Sequence, residues 1–239
     1  MAEQPHLLLF DIDGTLVDTG GAGMRALVQA VGELYPDRVE AAGGSPQLDL
    51  AGSTDSGLAM QIFAELGVTD SPAERQLFFG SYLSHLRANL GEPGTNGTLL
   101  AGVTALLDHL APLSRAGEVM VGLLTGNIAE GARVKMDYYG VAPHFPFGSF
   151  GDDHHDRDRL GPIAVRRAGD HLGHDLGAAP VTVIGDTPKD IRCARAFGAR
   201  VLAVASGGVE RQALAAHDPD VLLPDLADLD KVISALGLD

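Results

Sequence analysis

The chain has 239 residues, 45% hydrophobic and 21% charged, with a formal net charge of −15; that length suits one large core carrying a smaller inserted unit. Such acidity argues against nucleic acid or anionic membrane as a partner, because both need a basic surface, and no apolar run approaches the roughly 20 residues of a membrane span. The first residues, MAEQPH, lack the basic start and apolar stretch of a secretory signal, and the one cysteine, Cys193, excludes an internal disulfide, so a reducing cytoplasm is the expected location.

Along the chain, the first apolar run is Leu7 to Phe10, which ends at Asp11. It is too brief for a helix and reads as a buried strand. Between residues 20 and 98 no such strand follows. Segments 22–34, 54–66 and 72–90 carry apolar residues at helical spacing instead. Turn-rich stretches border this region, Thr19-Gly20-Gly21-Ala22-Gly23 before it and Gly91-Glu92-Pro93-Gly94-Thr95-Asn96-Gly97 after it, as hinges would.

Strand-like runs then return. VMVGLL (119–124) ends at Thr125, VTVIG (181–185) at Asp186, and RVLAVA (200–205) in Ser206-Gly207-Gly208. Helix-like segments follow the first two, around 128–138 and 188–198. Strands alternating with helices predict a parallel sheet with right-handed crossovers, and ligands collect beyond the carboxyl ends of such strands. The expected fold class is therefore α/β, a doubly wound Rossmann-like parallel sheet with an inserted all-helical unit. The core spans 1–19 and 95–239, and the insert, 20–94, is placed to act as a lid.

Asp11 and Asp13, with Gly14 behind them, open a DIDGT stretch at the end of the first strand. A calcium loop is the ordinary alternative, but it needs glycine and glutamate where this chain has Leu16 and Ala22. A second acidic pair, Asp186 and Asp190 of GDTPKD, closes another strand. Four converging carboxylates repel one another, and a hard divalent cation such as Mg²⁺ resolves the repulsion. One carboxylate is then left to attack phosphorus.

DIDGT, LLTGN around Thr125 and GDTPKD, in this order and spread over nearly the whole chain, resemble the motifs of the haloacid dehalogenase (HAD) superfamily, and specifically its phosphatases similar to phosphoglycolate phosphatase with a helical C1-type cap. The resemblance implies that Asp11 is the nucleophile. Asp13 would protonate the leaving alkoxide and then activate water, with a turn at Gly14 swinging it beside the substrate and its backbone carbonyl facing the metal. Thr125 would hold phosphate oxygens together with the backbone of Gly126 and Asn127. Asp186 would ligate Mg²⁺, and Asp190 would ligate it directly or through water. The family's third motif is normally a lysine. Counting back from Gly173, that position falls on Arg159, which is expected to bind the nucleophile and the phosphate, with Arg157 and Arg166 as rivals.

The resemblance also separates chemistries. Dehalogenation needs neither metal nor an acid at Asp13, and no lysine lies between 20 and 98, which disfavours lid-lysine phosphonatases and sugar-phosphate mutases. The expected function is a Mg²⁺-dependent phosphomonoesterase acting on a small phosphorylated metabolite, phosphoglycolate by default, through an aspartyl-phosphate. The alternative is a catalytically silent relative that binds a phosphometabolite or a protein. Other residues have plainer readings: Cys193 as a packing residue, His85 as a helix-surface group, His154 and His155 in a solvated loop. Thr54 or Asp55 reads first as an N-cap; the resemblance implies a second role for the 52–55 stretch, as a lid loop facing the site.

Overall fold

The computed structural model describes residues 4–48 and 51–238. In chain order the elements are β1 (His6–Phe10), β2 (Val17–Asp18), α1 (Ala22–Leu34), α2 (Pro36–Ala41), α3 (Asp55–Glu65), α4 (Pro72–Leu90), β3 (Thr98–Leu99) and α5 (Val103–Ala116). They continue as β4 (Val119–Leu124), α6 (Ala129–Tyr138), β5 (Gly148–Ser149), α7 (Leu160–Leu172), β6 (Val181–Gly185), α8 (Pro188–Ala196), β7 (Arg200–Val204), α9 (Arg211–Ala215), β8 (Val221–Leu223) and α10 (Leu229–Leu236).

β1 lies inside a six-stranded sheet of order β5-β4-β1-β6-β7-β8, every neighbouring pair of which is parallel. Its position explains its composition. Successive side chains of a strand point to opposite faces, and both faces are covered. Leu8 and Phe10 join Val103, Leu106, Leu110 and Met136 on the side of α5 and α6. Leu7 and Leu9 join Leu160, Ala164, Ile191 and Ala194 on the side of α7 and α8. A strand buried on both faces reads as a continuous apolar run, which is why β1, β4, β6 and β7 stand where the apolar runs predict them. The fold class is the expected α/β one.

Helices α1 to α4 enclose an apolar centre of their own. Phe63 and Phe78 are fully buried in it and meet edge to face, with ring centroids 5.5 Å apart, a favoured aromatic geometry. Caps delimit these helices. The Thr54 hydroxyl accepts from the Gly57 amide at 3.0 Å and the Ser71 hydroxyl from the Glu74 amide at 3.2 Å, satisfying amides that no helical carbonyl reaches. Thr54 is therefore the cap of α3. The short α2 and the two-residue ribbon β2–β3, in which Val17 pairs with Leu99 and Asp18 with Thr98, have no counterpart in the sequence reading. The ribbon fastens together the two connections that lead into and out of the helical insert.

Candidate active site

The carboxyl ends of β1, β4 and β6 converge. The Asp11 amide extends the β1–β6 ladder by donating to the Ile184 carbonyl at 2.9 Å, and the chain then folds back so that the Leu16 and Val17 amides both reach the Ile12 carbonyl. Gly14 makes this turn possible with φ of +79°, a conformation that costs other residues dearly. A side chain at Gly14 would also collide with the Asp186 carboxylate, and one at Gly207 would do the same. The close approach of three backbones is what brings the acidic groups together.

Asp11, Asp186 and Asp190 are all buried and can each present one oxygen so that the three lie within 4.8 Å of one another. Burial pushes the carboxyls of Asp11 and Asp186 above the ordinary range; neighbouring carboxylates raise both further and Arg157 opposes the rise. Three carboxylates against one guanidinium leave a local charge of about two, so this oxygen-only donor set fits a hard divalent cation. Asp186 also accepts from the Thr15 hydroxyl at 3.2 Å. Asp190 is held hardest. It closes a capping box at the start of α8, accepts from the Thr187 amide and hydroxyl at 2.9 and 2.7 Å, and takes a short hydrogen bond from Arg157.

The cation at this cluster is Arg157, and Arg159 is not. Arg157 is 3% exposed, its Nη2 stands 3.2 Å from Asp11 Oδ1, and its Nη1 donates to the Gly52 carbonyl at 3.1 Å. Its Nε is buried with no partner among the described residues. Arg159 is exposed. Both belong to one turn of 3₁₀ helix, Arg157–Arg159, where residues two apart point in different directions because the turn repeats every three. Counting back from Gly173 arrives two positions too late.

Asp13 stands apart from this cluster, half-buried. Lys135 Nζ lies 2.8 and 2.6 Å from its two oxygens and 2.6 Å from Asn127 Oδ1. Asn127 Nδ2 completes the triangle, donating to Asp13 at 2.8 Å and to the Thr125 hydroxyl at 2.9 Å. Thr125 itself is fully buried behind Asn127. Sequence reasoning gave Lys135 no role, although it sits on the buried stripe of α6 with Gly131, Ala132, Val134 and Met136. A lysine in such a stripe is the signal, since lysines are almost never fully buried unless paired.

Helix α3 presses its first turn against the same loops. Asp55 donates its amide to the Gly126 carbonyl at 2.7 Å and accepts through its carboxylate from the Ile128 amide at 2.9 Å. Burial raises its carboxyl to about 6, opposed by Lys135. Thr54 Oγ1 donates to the His155 carbonyl at 2.6 Å, so the 52–55 stretch both caps a helix and faces the site. Between the insert and the core lies a cavity of about 660 Å³ whose walls include Asp11, Asp13, Asp186, Lys135 and Arg157, a size suited to a small molecule.

The other singled-out residues lie elsewhere in function. Cys193 is buried, donates its thiol to the Arg157 carbonyl at 3.1 Å, and burial pushes that thiol up to about 12, so it packs and does not react. His85 pairs with Glu33 at the surface. His154 and His155 stack on each other and belong to no potential metal cluster among the described residues.

The comparisons with known proteins agree with this geometry. Residues 8–195 match the model of the haloacid dehalogenase-like hydrolases. The chain is 28% identical to the phosphoglycolate phosphatase of Salmonella paratyphi A, over 96% of this chain and 91% of that protein. It is 26% identical to the phosphoglycolate phosphatase of Rhodospirillum rubrum, over 94% and 89%. Its fold superposes on a hydrolase from Pseudomonas syringae with a TM-score of 0.65 at 18% identity, covering 97% of this chain and 98% of that one. It also superposes on a haloacid dehalogenase-like family protein from Streptococcus pneumoniae with a TM-score of 0.59 at 18% identity, covering 98% and 100%. The chain belongs to the haloacid dehalogenase-like hydrolase family. Membership and phosphatase relatives matched almost end to end support a phosphatase among those hydrolases.

Two outcomes follow from the electrostatics. The raised Asp186 carboxyl favours the fold at acid pH, where it is protonated, and loses that contribution as pH climbs from the ordinary carboxylate range through its raised value. At neutral pH the group must take up a proton for the metal-free chain to fold, which costs stability. Asp186→Asn should therefore raise the melting temperature of the metal-free protein by several degrees at neutral pH and remove the stabilisation that added Mg²⁺ gives the wild type, as read by thermal unfolding with and without the ion. Replacing the two arginines should separate them. Arg157→Ala should lower phosphatase kcat about 100- to 1,000-fold by deleting a charged donor, Arg157→Lys should fall between it and wild type, and Arg159→Ala should stay near wild type in steady-state kinetics.

Proposed function

We propose that the chain is a Mg²⁺-dependent phosphomonoesterase that hydrolyses a small phosphorylated metabolite through an aspartyl-phosphate on Asp11. The observation that carries this reading is the division of labour between two aspartates two residues apart. Asp11 faces Arg157 and Asp186, in surroundings built for a phosphoryl group. Asp13 faces Lys135 and Asn127, in surroundings built to hold a carboxylate in one orientation.

In this scheme Asp11 attacks phosphorus while Asp13 gives a proton to the departing alkoxide. Asp13 then takes a proton from the water that cleaves the aspartyl-phosphate, restoring both groups. Arg157, in place of Arg159, holds Asp11 and the phosphoryl oxygens. The amides at Gly126 and Asn127, both residues of the cavity wall, would donate to the same oxygens, and Thr125 positions Asn127. Asp11, Asp186 and the Asp13 carbonyl would hold Mg²⁺, with Asp190 ligating it directly or through water; the bound ion would neutralise charge that develops on the phosphoryl oxygens. Catalysis is then mostly electrostatics and positioning.

Residues 20–94 act as the lid over this centre. The hydrogen bonds that Gly52 accepts from Arg157, Thr54 donates to His155 and Asp55 accepts from Ile128 support closure that excludes water from the acyl-phosphate. No described helix is long and apolar enough to cross a membrane, and the buried thiol of Cys193 suits a reducing cytoplasm as the place of action. All four catalytic carboxylates are present beside two cations, which favours chemistry over a silent binding role. Phosphate release from 4-nitrophenyl phosphate should require Mg²⁺, and Asp11→Asn should reduce it at least about 1,000-fold while its thermal unfolding remains cooperative. Activity close to wild type in that variant would contradict the mechanism.

A further inference from the structure

The cavity wall is of two kinds. Part of it consists of the carboxylates and cations already described. The apolar part, against which the portion of the substrate that leaves would lie, comprises Val17, Met24, Leu27, Leu58, Tyr82 and Val209. Glycines 21 and 23 add no side chains there, and Thr19 and Ser53 add hydroxyls.

The charges along the wall are unevenly matched. Asp18 and Asp55 join Asp11, Asp13 and Asp186 as acidic lining residues, whereas the basic ones are Lys135 and Arg157. Neither cation is left over. The Lys135 ammonium has three donors and three acceptors around it, two on Asp13 and one on Asn127. Arg157 is committed to Asp11, Asp190 and the Gly52 carbonyl. Two other cations close to the wall are engaged as well. Arg25 bonds the Gly20 carbonyl at 2.7 Å and the Thr95 hydroxyl at 3.0 Å, and Lys189 reaches Ser53 at 2.7 Å. All of the chain's lysines and arginines are among the described residues.

We propose that the leaving group is an uncharged alcohol with an apolar face, seated against α1, α3 and α4, and that this cavity selects against alcohols carrying a carboxylate. The inference rests on the phosphomonoesterase reading and narrows it. A carboxylate against this part of the wall would lie near Asp13, Asp18 and Asp55, and the cation there, Lys135, is already held by Asp13 and Asn127. It would lose its hydration against apolar side chains, and like charges brought together are a strong source of discrimination. An uncharged alcohol meets neither cost. Its hydroxyls, if it has more than one, find Thr19, Ser53 and the Tyr82 phenol. Burial and the neighbouring Asp55 and Asp13 push the Tyr82 phenol well above its ordinary range, so it remains a donor.

The test compares substrates with the same kind of primary alkoxide leaving group: 2-phosphoglycolate, 2-hydroxyethyl phosphate and n-butyl phosphate, with 4-nitrophenyl phosphate as the activated control. In the presence of Mg²⁺ the two neutral esters should exceed phosphoglycolate in kcat/KM by at least about tenfold. Where alkyl turnover is slow, their inhibition constants against the aryl ester should show the same order. Met24→Arg, at a half-exposed position on the wall, should shift the ratio towards phosphoglycolate by at least about tenfold, and Met24→Leu should not. Turnover of the aryl ester together with equal or greater use of phosphoglycolate would overturn the proposal and leave the phosphatase reading standing. So would a Met24→Arg ratio unchanged from wild type. Metal-dependent hydrolysis of none of the four would remove both.

Discussion

The structure depends on a repulsion that it does not itself relieve. Asp11, Asp186 and Asp190 are packed together out of water with a single guanidinium between them, and burial of charge at this density is unfavourable unless each group is paired or bonded. Each carboxylate is therefore held by the backbone architecture. The Asp11 amide is locked into the β1–β6 ladder, Asp186 is enclosed by Gly14 and Gly207, where no side chain fits, and Asp190 is bound into the cap of α8. A site strained in this way by its own charge is prepared for a cation and for an anionic phosphoryl group.

The same constraint separates the two aspartates of the opening motif. If Asp13 faced the cluster it would add a further negative charge to it. The turn at Gly14 carries Asp13 to Lys135 and Asn127 instead, so that two carboxylates two residues apart sit in different electrostatic surroundings, as the proposed roles of nucleophile and acid–base group require. The helical insert completes the enclosure. A Cβ on Gly126 would strike the Ser53 carbonyl, so the start of α3 and the loop after β4 pack backbone to backbone beside the cavity.

Much of this was legible in the chain. Strands buried on both faces announce themselves as apolar runs, and the long helices 22–34 and 72–90 have the same limits in the sequence pattern and in the fold, the first lying between Gly21 and Pro36 and the second opening on Ser71 and Pro72. Asp11, Asp186 and Asp190 converge as their strand-end positions imply. What escaped the sequence was local direction. Arg157 and Arg159 are indistinguishable by composition, and only the 3₁₀ turn decides which one faces inward. Lys135 reads as an ordinary helix lysine until α6 is packed against the sheet. The β2–β3 ribbon is too short to leave any periodicity. Specificity was the least legible part, since the apolar wall is assembled from helices far apart in sequence.

The central claim is that phosphate passes through a covalent bond to Asp11. The most direct measurement is to quench the enzyme with acid during steady turnover of a phosphomonoester, reduce the acyl phosphate with borohydride, and locate the modified residue by peptide mass spectrometry. The account predicts conversion of Asp11 to homoserine, dependent on both substrate and Mg²⁺. Turnover with no modified aspartate under the same conditions, or modification at Asp13 or Asp186 in its place, would contradict it.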